Sequence, residues 1–439
     1  MPEQAIDLVI EARWIVPVEP DGVVLDHHAV AIDGGRIVDL GPQSEIAARF
    51  SPRRLKRLPR HVLIPGLVNL HTHAAMTLLR GLADDLPLMA WLQDHIWPAE
   101  ARHVSAQFVF DGTALACAEM LRGGITCFND MYFHPQAAAD AALAAGIRAA
   151  IGLITFCFPS NYAADPDDYL AKGLAARERS LDKPLLSFCL APHAPYTVDD
   201  QSFAKVLTLA EQIDLPIHLH LHETTQEIDD SLQRFGVRPI ERIRRLGLLS
   251  PALIAIHTVH LDAGEIELLA RHGCSVAHCP SSNLKLASGI APVADLVAKG
   301  VNVGLGTDGA ASNNRLDLLQ EMRLAALLAK ARSGRADAVD AHQVLRMATL
   351  GGARALGLDG VVGSIRLGKE ADLCAVRLDD LALFPCYDPV SHLVYSVGRE
   401  HVSDVWVAGR IRVENGQLIE NNEAGLIKTA LLWQNKIRP

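Results

Sequence analysis

Pro65-Gly66-Leu67-Val68-Asn69-Leu70-His71-Thr72-His73 is an apolar run that ends in two histidines separated by one small residue. In an extended strand successive side chains alternate faces, so His71 and His73 project from the same side at its end. Two imidazoles so placed can grip one metal ion. His-x-His also arises by chance, so the reading depends on what the rest of the chain brings to the same place.

Similar apolar runs recur downstream, at 125–128, 148–153, 185–190, 216–221, 253–257, 275–278 and 301–306. With a first strand at 62–70 they number eight. Helical patterns fall between them, at 111–122, 203–212 and 239–246 for example. Eight strands alternating with helices predict an α/β fold, a (β/α)8 TIM-like barrel over 64–360. The two ends of the chain read differently. Short strands at 6–10, 29–32 and 36–38 flank a Gly34-Gly35 turn, and strands at 371–376, 402–408 and 410–413 precede an Asn415-Gly416 turn. The expectation is a small β-sandwich domain assembled from 1–63 plus 361–439.

A chain of 439 residues suits a large barrel with an appended domain. A formal net charge of −10 argues against nucleic acid as a partner. The one basic run, Arg53, Arg54, Lys56, Arg57 and Arg60, is read as a solvated loop. Eight scattered cysteines with no Cys-x-x-Cys pair fit free thiols in a reducing cytoplasm. Met1 to Val9 carries acids and no long apolar core, so no secretory signal is expected there. No apolar run reaches the roughly 18 residues of a membrane span. The partner expected is a small molecule; homo-oligomerisation stays open.

Functional groups of such a barrel gather at the C-terminal ends of its strands. The first predicted strand ends in His71 and His73. The fifth gives His218-Leu219-His220-Leu221-His222-Glu223, the sixth ends at His257, and the eighth runs Gly304-Leu305-Gly306-Thr307-Asp308. One strand-end histidine is ordinarily a hydrogen-bonded structural residue, and an Asp after Gly-Thr a turn or cap. Four metal-capable groups at the same end of four strands exceed that explanation. Three imidazoles and a carboxylate leave room for a water. His71, His73, His220 and Asp308 are the expected ligands of one Zn2+ per subunit, with Fe2+ or Mn2+ also compatible with N/O donors. His218 and His222 share the face of His220, so alternation does not choose among the three. A bound ion would lower the pKa of a water from about 15.7 towards about 7. Glu223 would fall on the wrong face of a regular strand, so the strand is expected to end before it. In the following loop it suits proton transfer. His257 could polarise the water or hold developing charge. Gly304 and Gly306 are read as leaving space for metal and substrate.

These residues, with Gly306-Thr307-Asp308-Gly309 and Gly363-Ser364-Ile365-Arg366-Leu367-Gly368-Lys369-Glu370-Ala371-Asp372-Leu373, resemble the amidohydrolase superfamily in its mononuclear deaminase branch. No Lys or Cys stands where a second metal would be bridged; the fourth-strand region offers Ala191-Pro192-His193-Ala194-Pro195-Tyr196 instead. Three further stretches are similar to the branch that deaminates 5′-methylthioadenosine and S-adenosylhomocysteine. They are Leu88-Met89-Ala90-Trp91-Leu92 with Ile96-Trp97-Pro98-Ala99-Glu100, the His193 stretch with Thr197, and Pro280-Ser281-Ser282-Asn283-Leu284-Lys285-Leu286-Ala287-Ser288-Gly289. The resemblance implies that His71, His73, His220 and Asp308 hold Zn2+ and that Glu223 moves a proton to the purine ring nitrogen. It also implies that His257 assists the water, that Asp308 accepts its proton, and that Glu100 and His193 contact the ribose hydroxyls. The product would be the inosine analogue plus ammonia.

Members of that branch that take S-adenosylhomocysteine well are expected to carry arginines shortly after the Gly-x-Arg stretch. Here Gly146-Ile147-Arg148 is followed by none, and the loop 160–169 holds Asp165, Asp167 and Asp168. The expectation is a preference for neutral 5′-methylthioadenosine, because acids would repel a substrate carboxylate. The rival readings are a guanine, 8-oxoguanine or triazine enzyme of the same branch, and an inactive assembly or binding protein. The unrelated zinc deaminase fold needs His-x-Glu with Pro-Cys-x-x-Cys, and neither occurs.

Overall fold

Pro65 has no N–H to offer a sheet ladder, and beside it the chain changes sheets. In the computed structural model, which describes residues 4–420 and 422–438, Gly66 N donates to Asp372 O at 2.8 Å in one sheet. The very next amide, Leu67 N, donates to Gly124 O at 3.0 Å in the other. A Cβ on Gly66 would come within 2.1 Å of Thr126 Oγ1, so only glycine fits this crossing. The expected strand 62–70 is therefore two strands. Met1, Pro2 and Glu3 of the N-terminal stretch, and Asn421 and Pro439 of the C-terminal one, lie outside the described residues.

The first sheet begins with β1 (Gln4–Ile15), β2 (Leu25–Asp33), β3 (Arg36–Pro42) and β4 (Phe50–Pro65). The second runs β5 (Leu67–Thr72), β6 (Ile125–Tyr132), β7 (Arg148–Thr155), β8 (Leu186–Pro192), β9 (Ile217–Leu221), β10 (Leu253–His257), β11 (Ser275–His278) and β12 (Asn302–Leu305). The chain then returns to the first sheet with β13 (Leu373–Arg377), β14 (Val402–Val407), β15 (Arg410–Glu414) and β16 (Gln417–Leu418).

β5 to β12 pair in parallel, in chain order. The ring closes from β12 to β5 at the C-terminal end: Asp308 N donates to His71 O at 3.0 Å, and the Asn69 amide takes Thr307 N at 2.9 Å and gives to Thr307 Oγ1 at 2.8 Å. This is the (β/α)8 barrel that the alternation implied. Gly304 and Gly306 serve the closure rather than a ligand. A Cβ on Gly304 would meet Leu70 Cδ2 at 2.6 Å, and one on Gly306 would meet His71 N and Cβ at 2.9 Å. Close strand approach, not space for a metal, is what excludes larger residues there.

The other sheet has the order β16-β15-β14-β13-β4-β1-β2-β3. It curls about its own apolar core, in which Ile10, Ile32 and Ile37 from one end meet Leu373 and Trp406 from the other. The basic run is not a loop. It lies in β4, where Arg53 pairs with Asp7, Arg57 with Glu11, and Lys56 with both Asp404 and Glu414. Outward side chains of this strand resemble loop charges in the sequence because Pro52 and Pro59 interrupt the pattern. Arg148, at the start of β7, is buried and gives Nε and Nη2 to Asp372 and Nη2 to Glu370. It fastens the curled sheet to the bottom of the barrel, the end away from the strand-end histidines.

Candidate active site

His73, His220 and Asp308 are each held by hydrogen bonds that leave one nitrogen or oxygen facing a common point. His73 Nδ1 meets Met131 O at 2.6 Å and His220 Nδ1 meets His193 O at 2.8 Å. With Nδ1–H engaged on a carbonyl, the Nε2 lone pair is the free ligand of each ring. His71 is fully buried, and its Nε2 has no hydrogen-bond partner among the described residues. It lies 3.3 Å from Asp308 Oδ1, and His73 Nε2 lies 3.2 Å from the same oxygen. Donors about 2.0–2.1 Å from one tetrahedral ion stand about 3.3–3.4 Å apart. The donor set therefore suits a divalent metal ion, and the orphaned nitrogen of His71 is what such an ion would satisfy. His71, His73 and Asp308 form one such group; His71, His220 and His257 form another.

Asp308 divides its two oxygens. Oδ1 faces the histidines, while Oδ2 accepts from Ser282 Oγ at 2.6 Å and Ser312 Oγ at 2.7 Å. His257 places Nδ1 2.9 Å from Asn283 Oδ1, which leaves Nε2 pointing inward, 3.8 Å from Glu223 Oε2. β9 ends at Leu221, and His222 adopts a left-handed φ of 56°, so the chain turns and Glu223 comes round to the histidine side. Both nitrogens of His222 are engaged, Nδ1 with His260 O and Nε2 with Ile240 N. His222 is thus a structural pin. His218 is fully buried below the cluster, with its ring centroid 4.9 Å from that of His71 and neither nitrogen bonded among the described residues. Of the three, only His220 enters a donor group.

Burial raises Glu223 above the ordinary carboxylate range and pushes the His193 imidazole down to about 3. A carboxyl that holds a proton more readily and a neutral imidazole both suit proton transfer and hydroxyl binding at neutral pH.

The histidines floor a cavity walled by Trp91, Tyr132, Phe156, His193, Tyr196 and Leu286, with a volume of ≈70 Å³. Its largely aromatic and apolar walls suit a flat heterocycle. Past Trp97, Glu100 and Phe133 it adjoins a second cavity of ≈330 Å³, lined also by Phe158, Asn161 and Tyr162. Glu100 stands where the two meet. Its Oε1 accepts from Tyr132 Oη at 2.7 Å, and desolvation pushes its carboxyl up to about 7. His193 lies across the first cavity, its Nδ1 3.0 Å from Thr197 Oγ1. Among the described residues, no lysine or arginine lines either cavity. A larger cavity of ≈880 Å³ between barrel and curled sheet contains none of these groups, and its arginines include paired ones, Arg80 and Arg399 with Glu119 and Arg122 with Glu423.

His71, His73, His220, Glu223, His257 and Asp308 thus meet in one place, with Glu100 and His193 on its wall. The acidic loop does not act as expected. Asp165 caps a helix, Asp167 pairs with Lys205 and Asp168 with Lys172. None of the three lines either cavity of the site, because helix capping turns them to the outer surface. Reading the sequence alone missed Tyr132, Ser312 and the part Asn283 plays. Tyr132 had a usable signal, since it stands at the C-terminal end of β6, where functional groups of such a barrel gather. Ser312 had none.

The amidohydrolase family model matches residues 62–412. A 5-methylthioadenosine/S-adenosylhomocysteine deaminase of Saccharophagus degradans is 48% identical over 432 residues, covering 98% of this chain and 97% of its own. An adenosine deaminase from Xanthomonas campestris, solved with bound zinc, is 50% identical with a TM-score of 0.98, and each chain is covered completely. An atrazine chlorohydrolase of Arthrobacter aurescens TC1, at 24% identity and a TM-score of 0.89 over 97% of this chain and all of its own, shares the fold. With a family match across the whole barrel and a relative of nearly half-identical sequence along nearly its full length, this chain belongs to the amidohydrolase family.

Proposed function

We propose that this chain is a zinc-dependent hydrolytic deaminase of adenine nucleosides, with 5′-methylthioadenosine preferred over S-adenosylhomocysteine and adenosine. It yields the inosine analogue and ammonia. His71, His73, His220 and Asp308 would hold the ion, which when bound supplies an acidified water as nucleophile. Asp308 takes the proton that the water loses, with Ser282 and Ser312 stabilising the charge on its second oxygen. His257 directs Nε2 to the water, its ring oriented by Asn283. Glu223 delivers a proton to the ring nitrogen beside C6 as the carbon becomes tetrahedral; the proton held by Asp308 then passes to the amino group, which leaves as ammonia, and the C6 hydroxyl returns its proton to Glu223 as the carbonyl forms. The same reading makes 64–360 the catalytic barrel and 1–63 plus 361–439 its supporting β-domain. Eight unpaired cysteines support a reducing compartment such as the cytoplasm.

The observation that carries the nucleoside reading is Glu100 at the junction of the two cavities, with Oε2 unpartnered among the described residues, in a cavity that His193 also lines. A free base would have no hydroxyls for that pair. The names of the similar enzymes, adenosine deaminase and 5-methylthioadenosine/S-adenosylhomocysteine deaminase, share the adenine riboside and differ at the 5′ position. Aromatic walls without a cation around the second cavity favour the neutral thioether there.

The test is ammonia release and the ultraviolet change of adenine to hypoxanthine across 5′-methylthioadenosine, S-adenosylhomocysteine, adenosine and guanine, with metal measured in the same sample. A preference for the amino-acid-bearing nucleoside would reject the substrate order. No ammonia from any adenine nucleoside by the metal-loaded protein would reject the function.

A further inference from the structure

We propose that Glu227 is a positioning residue that aims Glu223 at the reacting ring, an inference that rests on the deaminase reading above. The segment after β9 must do something awkward. His220 has to face the metal-ligand cluster, and Glu223, three residues on, has to face the same space. Regular strand geometry forbids this, and the chain solves it with His222 in the left-handed region, at φ 56°, a conformation that a non-glycine residue keeps only when its surroundings hold it there.

Glu227 supplies that hold. Its Oε1 accepts His222 N at 2.9 Å and its Oε2 accepts Glu223 N at 2.8 Å. Both oxygens are thus spent on consecutive amides of the turn, on either side of the peptide that sets the direction of the Glu223 side chain. Glu227 is itself placed by the helix it sits in, Thr225–Phe235, whose N-cap Thr224 takes Glu227 N at 3.2 Å. It is 5% exposed and lines neither cavity. Among the described residues the Glu223 carboxylate has no comparable anchor; the His257 imidazole stands beside it, with Nε2 at 3.8 Å. The backbone, rather than a side-chain partner, fixes where this acid stands, and misplacing a catalytic group by about 1 Å can cost about 100-fold.

The experiment is a double-mutant cycle on the metal-loaded enzyme with 5′-methylthioadenosine, using Glu227→Gln, Glu223→Gln and the pair. The first substitution keeps the side-chain volume but turns one acceptor into a donor, freeing one amide of the turn. We expect kcat to fall about 10- to 100-fold in E227Q with KM within about 3-fold. Metal content should be unchanged. In the E223Q background the same change should cost less than about 3-fold, because there is no acid left to aim. A kcat for E227Q within about 3-fold of wild type would overturn the proposal. So would equal losses in both backgrounds, which mark a purely structural role. If E227Q does not fold, Glu227→Asp enters the same cycle, and failure of both to fold also assigns Glu227 to stability alone. A wild-type protein inactive on every adenine nucleoside would instead reject the underlying reading, and this inference with it.

Discussion

On the proposed function, Glu100→Gln should separate recognition of the sugar from chemistry at the base. Tyr132 Oη donates to Glu100 Oε1 at 2.7 Å, and among the described residues Oε2 has no hydrogen-bond partner at the junction of the cavities. The amide can still accept from Tyr132, but it presents NH2 where the carboxylate presented an acceptor. A hydrogen bond to a charged group contributes about 1.5–3 kcal/mol, so kcat/KM for adenosine should fall about 10- to 150-fold in E100Q. The same substitution should change kcat/KM for 2′,3′-dideoxyadenosine by less than about 3-fold, since that substrate has no hydroxyl to lose. Both are followed by the ultraviolet change from adenine to hypoxanthine, with metal content checked in each preparation. The carboxyl is pushed up to about 7, so acidification below that value should protonate it and lower wild-type kcat/KM for adenosine. That acid limb should be missing in E100Q. Equal losses on the ribosyl and dideoxy substrates would refute the assignment of Glu100 to the sugar.

Phe158→Arg puts a guanidinium at the second cavity, where Phe158 is 39% exposed; the ratio of kcat/KM for S-adenosylhomocysteine over 5′-methylthioadenosine should rise about 10-fold or more. Ser312→Ala removes one of two hydroxyl donors to Asp308 Oδ2, and chelator competition should show metal affinity weakened about 10- to 100-fold. Glu321, buried and bonded to Ser281 N and Asn313 Nδ2, is pushed by burial up to about 7 from 4.5. A raised carboxyl stabilises the fold fully below the unfolded value and loses that contribution as pH rises through the folded one. The stability of wild type relative to Glu321→Gln, from denaturant unfolding, should therefore fall as pH rises from about 4.5 to 7. Arg148→Ala strands Asp372 and Glu370 at the joint of barrel and curled sheet and should cost about 3–5 kcal/mol in unfolding free energy, with the kcat of the folded enzyme little changed.

The barrel was legible because its evidence is local and repetitive. Apolar runs of strand length with helical patterns between them state an alternation wherever they fall, and a period-two pattern puts His71 and His73 on one face without reference to any other part of the chain. The same locality misled at Gly66. One continuous apolar run crosses from one sheet to the other there, and nothing within the run says that Gly66 N and Leu67 N bond in different sheets. The prolines of β4 similarly hid a strand whose partners, β1 and β13, lie far away in sequence.

Strand-end chemistry was therefore within reach of the sequence: the residue types, their spacing, and the departure of Glu223 from the strand all follow from covalent geometry and alternation. Which histidine of the 218, 220 and 222 series joins the candidate donor cluster was not. All three share a face, and the choice was made by contacts from other segments. His193 O orients His220, His260 O and Ile240 N consume His222, and His218 is left beneath. The destination of the aspartates in the 160–169 loop was likewise decided by helix capping and by Lys172 and Lys205. Alternation is a property of the backbone and can be counted along the chain. The direction in which a particular polar group points depends on partners that only the folded chain brings within hydrogen-bonding distance.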